Sequence, residues 1–195
     1  SRIMAQSLVK PAMSAFSLLA LETSTERLSL AILLGDRMFV REVDAGQRHS
    51  ELALPLMYEL LAEAGTTLAD LDVIAFGQGP GSFTGVRIAC GLTQGLALGL
   101  NKRVVPVPTQ MALAEQCGAT KVIVALDARM GEIYFAAYHQ NNDATGWTAV
   151  VAPLLVKPEQ LPALDGDGWC GIGSGFDVPA LAEHLSRCYV AQISR

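Results

Sequence analysis

Apolar residues in this chain come in short runs that stop at acids or glycines, and the spacing within the runs switches between two periods. Phe16-Ser-Leu-Leu-Ala-Leu21 is such a run, ending at Glu22, and reads as a buried strand. After the polar turn Thr23-Ser24-Thr25-Glu26, Leu28, Leu30 and Ile32 alternate with smaller residues, which is strand periodicity. Gly35-Asp36 then turns the chain into a third strand, Arg37 to Val43. The period changes next. Ser50 reads as the N-cap of a helix from Glu51 to Ala64, with Leu52, Leu56, Leu60 and Leu61 along it. Pro55 sits one turn in, where proline is tolerated, and Gly65 ends the helix. Val73 to Phe76 is a short buried strand. A glycine-rich loop, Gly77 to Gly85, leads into a helix from Val86 to Leu98 with Gly99 at its C-cap. Val104 to Val107 is a strand, and Thr109 caps a helix reaching Gln116.

The plan then starts again. Val122 to Leu126 is apolar and ends at Asp127, Ala128-Arg-Met-Gly131 turns, and Glu132 to Tyr138 returns. Laid over one another without gaps, Ala20-Leu21-Glu22 matches Ala125-Leu126-Asp127. At the same offset Leu28, Leu30 and Ala31 match Ile133, Phe135 and Ala136. Beyond lie a third strand over Thr148 to Val151, a helix near Pro158 to Leu161 and a strand near Trp169. A Gly171-Ile-Gly-Ser-Gly175 loop and a helix from Pro179 to Ser186 follow. The expected organisation is residues 1–14 as an N-terminal extension or expression remnant, 15–117 as a first lobe and 118–195 as a second. Duplicated lobes of hairpin plus helix are the plan of the sugar kinase, heat-shock and actin superfamily, with its ribonuclease-H-like sheets. The expected fold class is therefore α/β, duplicated and actin-like.

Composition narrows the function. The chain has 195 residues, 51% hydrophobic and 17% charged, which is ample for a core and excludes disorder. Lys+Arg 14 against Asp+Glu 19 gives −5, and Lys102-Arg103 is the only adjacent basic pair. Nucleic-acid binding shows a clustered basic footprint, so RNA, if involved, is held mainly by a partner. Cys90, Cys117, Cys170 and Cys188 form no C-x-x-C pair, and His49, His139 and His184 join no ligand-spaced cluster, so metal-site spacing is absent. Thiols in a reducing cytoplasm are the expectation. No apolar stretch reads as a membrane span, and residues 1–12 lack the apolar run of a signal peptide.

Three features carry candidate chemistry. The glycine loop ends at a helix N-terminus, where free N–H groups favour anions. No Lys follows its last glycine as a Walker A loop requires, and Gly79-x-Gly81-x-x-Thr84 departs from the dinucleotide fingerprint at its third glycine. Gly79, Gly81, Ser82 and Thr84 are thus either an anion-binding loop or a tight turn capped by Ser82 or Thr84. Gly91, Gly95 and Gly99 recur at i, i+4 and i+8 and so line one face of the following helix. Interior glycines cost about 0.5–1 kcal/mol each, which close approach of another backbone offsets. That backbone belongs either to the chain's own sheet or to another subunit. Glu22 and Asp127 end equivalent strands; such acids either hold magnesium or activate a water, or simply bond the turn that follows. No H-E-x-x-H and no Ser-His-Asp set supports a protease.

Five segments carry a resemblance: Leu18-Leu-Ala-Leu-Glu-Thr-Ser-Thr25, Arg48-His-Ser-Glu51, Gly77-Gln-Gly-Pro-Gly-Ser-Phe-Thr-Gly-Val-Arg-Ile88, Gln94-Gly-Leu-Ala-Leu-Gly99 and Leu126-Asp-Ala-Arg-Met-Gly-Glu-Ile-Tyr134. In this order and spacing they resemble the TsaB (YeaZ) family of bacterial tRNA threonylcarbamoyladenosine biosynthesis proteins, over Ala15 to Ser186. The resemblance implies a two-lobed actin-like fold and a part in placing threonylcarbamoyl on the adenosine beside the anticodon of tRNAs that read codons beginning with A. It implies that the transfer chemistry belongs to a paralog, TsaD, whose metal site is built on a histidine pair in a helix. The comparable helix here, Thr109 to Gln116, has no histidine. It further implies a cytoplasmic scaffold that pairs with the TsaD-type paralog and, through it, with a TsaE-type ATPase. tRNA is met mainly through the complex, and homodimers form in the family. Val86, Ile88, Gly91, Leu92, Gly95 and Gly99 are then the expected partner interface. No cofactor is expected on this chain alone; ATP or ADP with magnesium at the interface with the partner stays open. Two departures stand out. Glu22 replaces the family's usual Asp, and the chain stops at Cys188-Tyr-Val-Ala-Gln-Ile-Ser-Arg195, before the family's closing helix and strand. The alternative functions are an ATP-dependent phosphotransferase of the same superfamily and a peptidase acting on the paralog.

Overall fold

The alternation of Leu28, Leu30 and Ile32 puts all three on one face of β2 (Arg27–Leu34), which runs between β1 (Ser17–Glu22) and β3 (Arg37–Asp44) in an antiparallel meander. The computed structural model describes residues 16–189 and 191–194, so the expected extension at 1–14 lies outside the described residues. β4 (Val73–Gly77) and β5 (Arg103–Val107) add in parallel to give the order β3-β2-β1-β4-β5. Two helices cover one face of this sheet: α1 (His49–Ala64), between β3 and β4, and α2 (Phe83–Leu100), the crossover from β4 to β5. Ala53, Met57 and Leu60 of α1 and Ala89 of α2 share a core with Leu19, Leu21, Leu28, Leu30 and Ile32. Each fully buried leucine contributes about 1.5–3 kcal/mol.

That burial is what holds α1, because its local signals are weaker than the sequence suggests. The helix starts at His49, so Ser50 lies inside the first turn; Arg48 takes the N-cap position and no side chain caps it. Pro55 is consequently deeper than one turn, at a cost of about 3 kcal/mol that the buried Met57, Leu60 and Leu61 offset. Gly65 closes the helix in the left-handed conformation (φ 69°), as expected. α2 is longer than expected at both ends. Ser82 caps it by accepting from the Gly85 N–H, and Asn101 ends it at φ 52°. Gly99 is therefore interior, and all three glycines of the stripe lie within the helix. At 18 residues, α2 is long and apolar enough to cross a membrane. Its place as the crossover between two hydrogen-bonded strands makes it a sheet-covering helix instead.

The chain divides after Thr109 into units of residues 1–109 and 110–195. The expected boundary at Cys117 shifts because α3 (Thr109–Cys117) packs Ala114 against Val122, Val124 and Leu126. The second sheet comprises β6 (Lys121–Asp127), β7 (Ile133–Gln140), β8 (Trp147–Val156), β9 (Trp169–Ile172) and β10 (Ala191–Ser194). Its order, β10-β9-β6-β7-β8, and its strand directions repeat those of the first. α4 (Pro179–Cys188) is the crossover to β10, and the segment at Pro158 is a single 3₁₀ turn, Pro158–Gln160, rather than a helix.

The duplication is real in topology but not in the gapless alignment. Leu21 pairs with Leu30, whereas Leu126, its counterpart by offset, pairs with Tyr134 and not Phe135. The second hairpin's turn is one residue shorter. A one-residue slip exchanges faces: Leu19 and Leu21 face the crossover helices, while Val124 and Leu126 lie on the opposite face with Ala114. Ile123 and Ala125 face α4 in their place.

Ser17 ties the start of β1 to the start of β4. Its N–H and hydroxyl donate to Asp72 Oδ2 at 2.8 and 2.9 Å, the N–H first in effect, and hold that carboxyl below its ordinary 3.8. A depressed folded value contributes stability above the unfolded value and loses it as pH falls through the folded one. In Ser17→Ala, which keeps the N–H bond and loses the hydroxyl, the Asp72 titration, followed by NMR, is expected to move up part of the way toward 3.8; an unmoved titration would show the hydroxyl bond to be idle.

Candidate functional site

β1 ends at Glu22, and both carboxylate oxygens are already engaged. The Ser24 N–H donates to Oε1 at 2.7 Å and the Thr109 hydroxyl to Oε2 at 2.9 Å. Gly77, at the end of β4, lies against the same group: a Cβ there would sit 1.9 Å from Oε2. The glycine loop is laid directly onto the Thr23-Ser24 turn. Thr23 Oγ1 donates to the Gly85 carbonyl at 2.6 Å, and the Ser82 N–H donates to the Ser24 carbonyl at 2.7 Å. A Cβ on Gly81 would meet Ser24 at 2.6 Å, and one on Gly85 would meet the Thr23 carbonyl oxygen at 1.9 Å. Gly79 (φ 91°) precedes a cis bond to Pro80, and its carbonyl accepts the Thr109 N–H at 2.9 Å.

Of the four loop residues singled out in the sequence, the structure thus seats Gly81 and Ser82 on the Thr23-Ser24 turn, while Gly79 lies against Val86 and bonds the Thr109 N–H. Thr84 stands exposed in the first turn of α2. The Ser82 and Gly85 N–H groups at this helix end serve Ser24 and the Ser82 hydroxyl. In the second unit Asp127 is bonded in the same local way: Oδ1 accepts the Arg129 N–H at 2.9 Å, and Oδ2 lies 3.6 Å from the Arg129 guanidinium. The intervening turn holds Arg129, Met130 and Gly131 at φ 67°, 53° and 74°, which leaves Met130 fully in solvent. Among the described residues, no group of three or more His, Cys, Asp or Glu side chains is placed to hold a metal ion.

The helix that follows the loop has two unlike faces. Gly85, Ala89, Thr93 and Ala97 form its buried line. Gly91, Gly95 and Gly99 fall two residues after the last three of these and so point away from the sheet. All three are exposed, and a Cβ on any of them would meet nothing within 4 Å. Val86, Ile88 and Leu92 are half-buried at the flanks, with Leu98 (87%) and Phe83 (69%) exposed; the Arg87 guanidinium stacks 3.6 Å over the Phe83 ring. The chain's own sheet does not supply the close backbone that would offset these glycines.

Sequence reasoning missed the tie between Thr109 and Glu22. A threonine before a helix reads first as a cap, and nothing local reveals that its hydroxyl reaches the end of β1. In Thr109→Val, which keeps the shape and loses the hydroxyl, unfolding free energy is expected to fall by about 1–3 kcal/mol because Oε2 is left without its donor. Denaturant titration measures it, and an unchanged midpoint would show the bond to be idle.

Comparison with known proteins places these features in a family. A family described as "TsaD: tRNA N6-adenosine threonylcarbamoyltransferase" matches residues 42–173. The chain is 36% identical over 167 residues to the tRNA threonylcarbamoyladenosine biosynthesis protein TsaB of Escherichia coli, covering 82% of this chain and 71% of that one. It is also 36% identical over 176 residues to TsaB of Haemophilus influenzae, covering 84% and 74%. Among solved structures, YeaZ from Pseudomonas aeruginosa superposes with a TM-score of 0.80 at 36% identity, over 92% of this chain and 84% of that one. The ethanolamine utilization protein EutJ from Carboxydothermus hydrogenoformans superposes at 0.50 with 12% identity, a likeness of fold alone.

Proposed function

The chain belongs to the TsaB (YeaZ) family and is a subunit of tRNA threonylcarbamoyladenosine biosynthesis, and from that premise we propose that it is a non-catalytic scaffold for the transferase. The observation that carries the reading is the unpartnered glycine face of α2, at Gly91, Gly95 and Gly99, flanked by Leu98. A helix bearing three interior glycines spends helix stability on a smooth surface that none of the described residues of its own unit fills. A facing helix gains by closer approach. The partner of the proposal is a TsaD-type paralog, with a TsaE-type ATPase reached through that pair. Val86, Ile88 and Leu92 border the contact, and a second copy of the chain fits the same surface.

The absence of catalysis is supported by how the candidate acids are used. Glu22 and Asp127 each bond the turn that follows, Gly77 lies against the Glu22 carboxylate, and Gly81 and Gly85 seat the loop on the Thr23-Ser24 turn, so the loop's close contacts are already taken within the chain. Nucleotide with magnesium is accordingly assigned to the interface with the paralog rather than to this chain alone. A part in tRNA modification supports a cytoplasmic location, and the acidic balance of −5 supports leaving most tRNA contact to the partners.

The test is light scattering of the chain mixed with its cognate TsaD-type paralog, alongside a magnesium-ATP turnover assay of the chain alone. A stable complex without turnover by the isolated chain is the expected result. Turnover abolished in Glu22→Ala or Asp127→Ala would establish a phosphotransferase instead, and failure to form any complex would sink the scaffold reading.

A further inference from the structure

Two of the four cysteines meet. Cys117 closes α3 and Cys170 lies in β9, and the Cys117 thiol donates to the Cys170 sulfur at 2.7 Å. A disulfide needs about 2.05 Å between sulfurs, so bond formation asks for a closure of less than an ångström. The two backbones are already fixed to one another. Cys170 pairs with Val122 in the sheet, and Ala114, one turn before Cys117, packs on that same part of β6. Cys170 is buried and Cys117 half-buried, so a reagent reaches the pair from Cys117.

The geometry points to Cys117 and Cys170 as a modification site, a dithiol that a small disulfide of the glutathione type converts into an intramolecular disulfide. The Cys117 sulfur, its proton lost to solvent, attacks one sulfur of oxidised glutathione and expels the other as a thiolate. The Cys170 sulfur then attacks the Cys117 sulfur of the mixed disulfide, gives up its own proton and expels the second glutathione. Two protein thiols lose two electrons, and one oxidised glutathione gains them to become two reduced molecules. Burial, with the Cys170 contact adding to it, pushes the Cys117 thiol up to about 12, so the first attack is slow at neutral pH and the pair persists as thiols under brief exposure. The resulting bond ties the end of α3 to β9 and closes a long loop of the second unit, which restricts its unfolded state.

The experiment incubates the full chain with excess oxidised glutathione, alkylates the remaining thiols and maps peptides without reduction. The expected result is a peptide pair joined through Cys117 and Cys170, with neither of them recovered alkylated or as a glutathione adduct, and a higher Tm that returns to the starting value with dithiothreitol. Cys170→Ser, which removes the resolving sulfur, is expected to trap a glutathione adduct on Cys117. The inference is overturned if Cys117 and Cys170 are both recovered alkylated, if a stable adduct sits on Cys117 of the unsubstituted chain, or if either cysteine is found linked to Cys90 or Cys188. The mapping needs no substitution, so it decides the question even where the variant fails to fold.

Discussion

Gly95→Leu is expected to weaken association with the TsaD-type paralog by more than about a hundredfold, a loss of roughly 3 kcal/mol, while leaving the chain folded. The two halves of that expectation rest on one observation. A Cβ at Gly95 meets nothing within 4 Å among the described residues, so leucine has room and brings better helix propensity, worth about 0.5–1 kcal/mol. The monomer should therefore melt at or slightly above the wild-type temperature. In the proposed complex the same side chain would stand between the glycine face and the helix proposed to pack on it. Light scattering with circular dichroism on the same sample separates the outcomes. A folded variant that still binds places the interface on another surface.

Gly85→Ala is expected to do the opposite damage, about 3 kcal/mol or more of lost stability, or roughly 6–12 °C in Tm for a chain of this size. The added Cβ would lie 1.9 Å from the Thr23 carbonyl oxygen and 3.0 Å from its carbon. Both are backbone atoms, and Thr23 cannot retreat without breaking its own hydroxyl bond to Gly85. Gly91→Ala, about one and two-thirds turns along the same helix, is the matched control. It meets nothing and should stabilise by about 0.5–1 kcal/mol. One thermal melt of each separates the cases: a Gly85→Ala chain that melts like the wild type would mean the loop is not seated on the turn as described.

The contrast between these two glycines also shows how far the sequence could be read. Their spacing was legible, and so were the strands, since β1, β2 and β6 carry unbroken or alternating apolar runs between turn residues. The resemblance through G-P-G-S-F-T-G-V-R named the family, and the comparisons bear it out. What spacing cannot carry is the direction in which a residue faces once a neighbour is added. Gly85 and Gly91 look alike as letters, yet one is pressed against Thr23 and the other faces solvent. The hairpin slip is the same kind of fact. Leu126 and Leu21 occupy matching places in their runs, but a turn shorter by one residue sends them to opposite faces, and turn length is fixed by the Asp127 to Glu132 bonds rather than by the apolar pattern. Local preference also misplaced the caps. Ser50 is a good cap by type but sits inside α1, and Gly99 is a good terminator but lies before Asn101, which takes the left-handed position instead. Short strands such as Ala191–Ser194 give too few residues for any period to register.

The order of strands along the chain has a bearing on how the molecule is made. All five strands of the first sheet, and both helices that cover it, lie between Ser17 and Val107. A ribosome adds about 5–20 residues per second, so this sheet has every strand it needs seconds before translation of the second unit is complete. The second sheet has no such head start, because β9 waits for Ala191–Ser194 to occupy its open edge. During synthesis the first unit is therefore a finished domain carrying an unfinished one. Truncated or stalled products should keep the glycine-faced helix intact and available, and would compete with the longer chain for the partner proposed to bind that face.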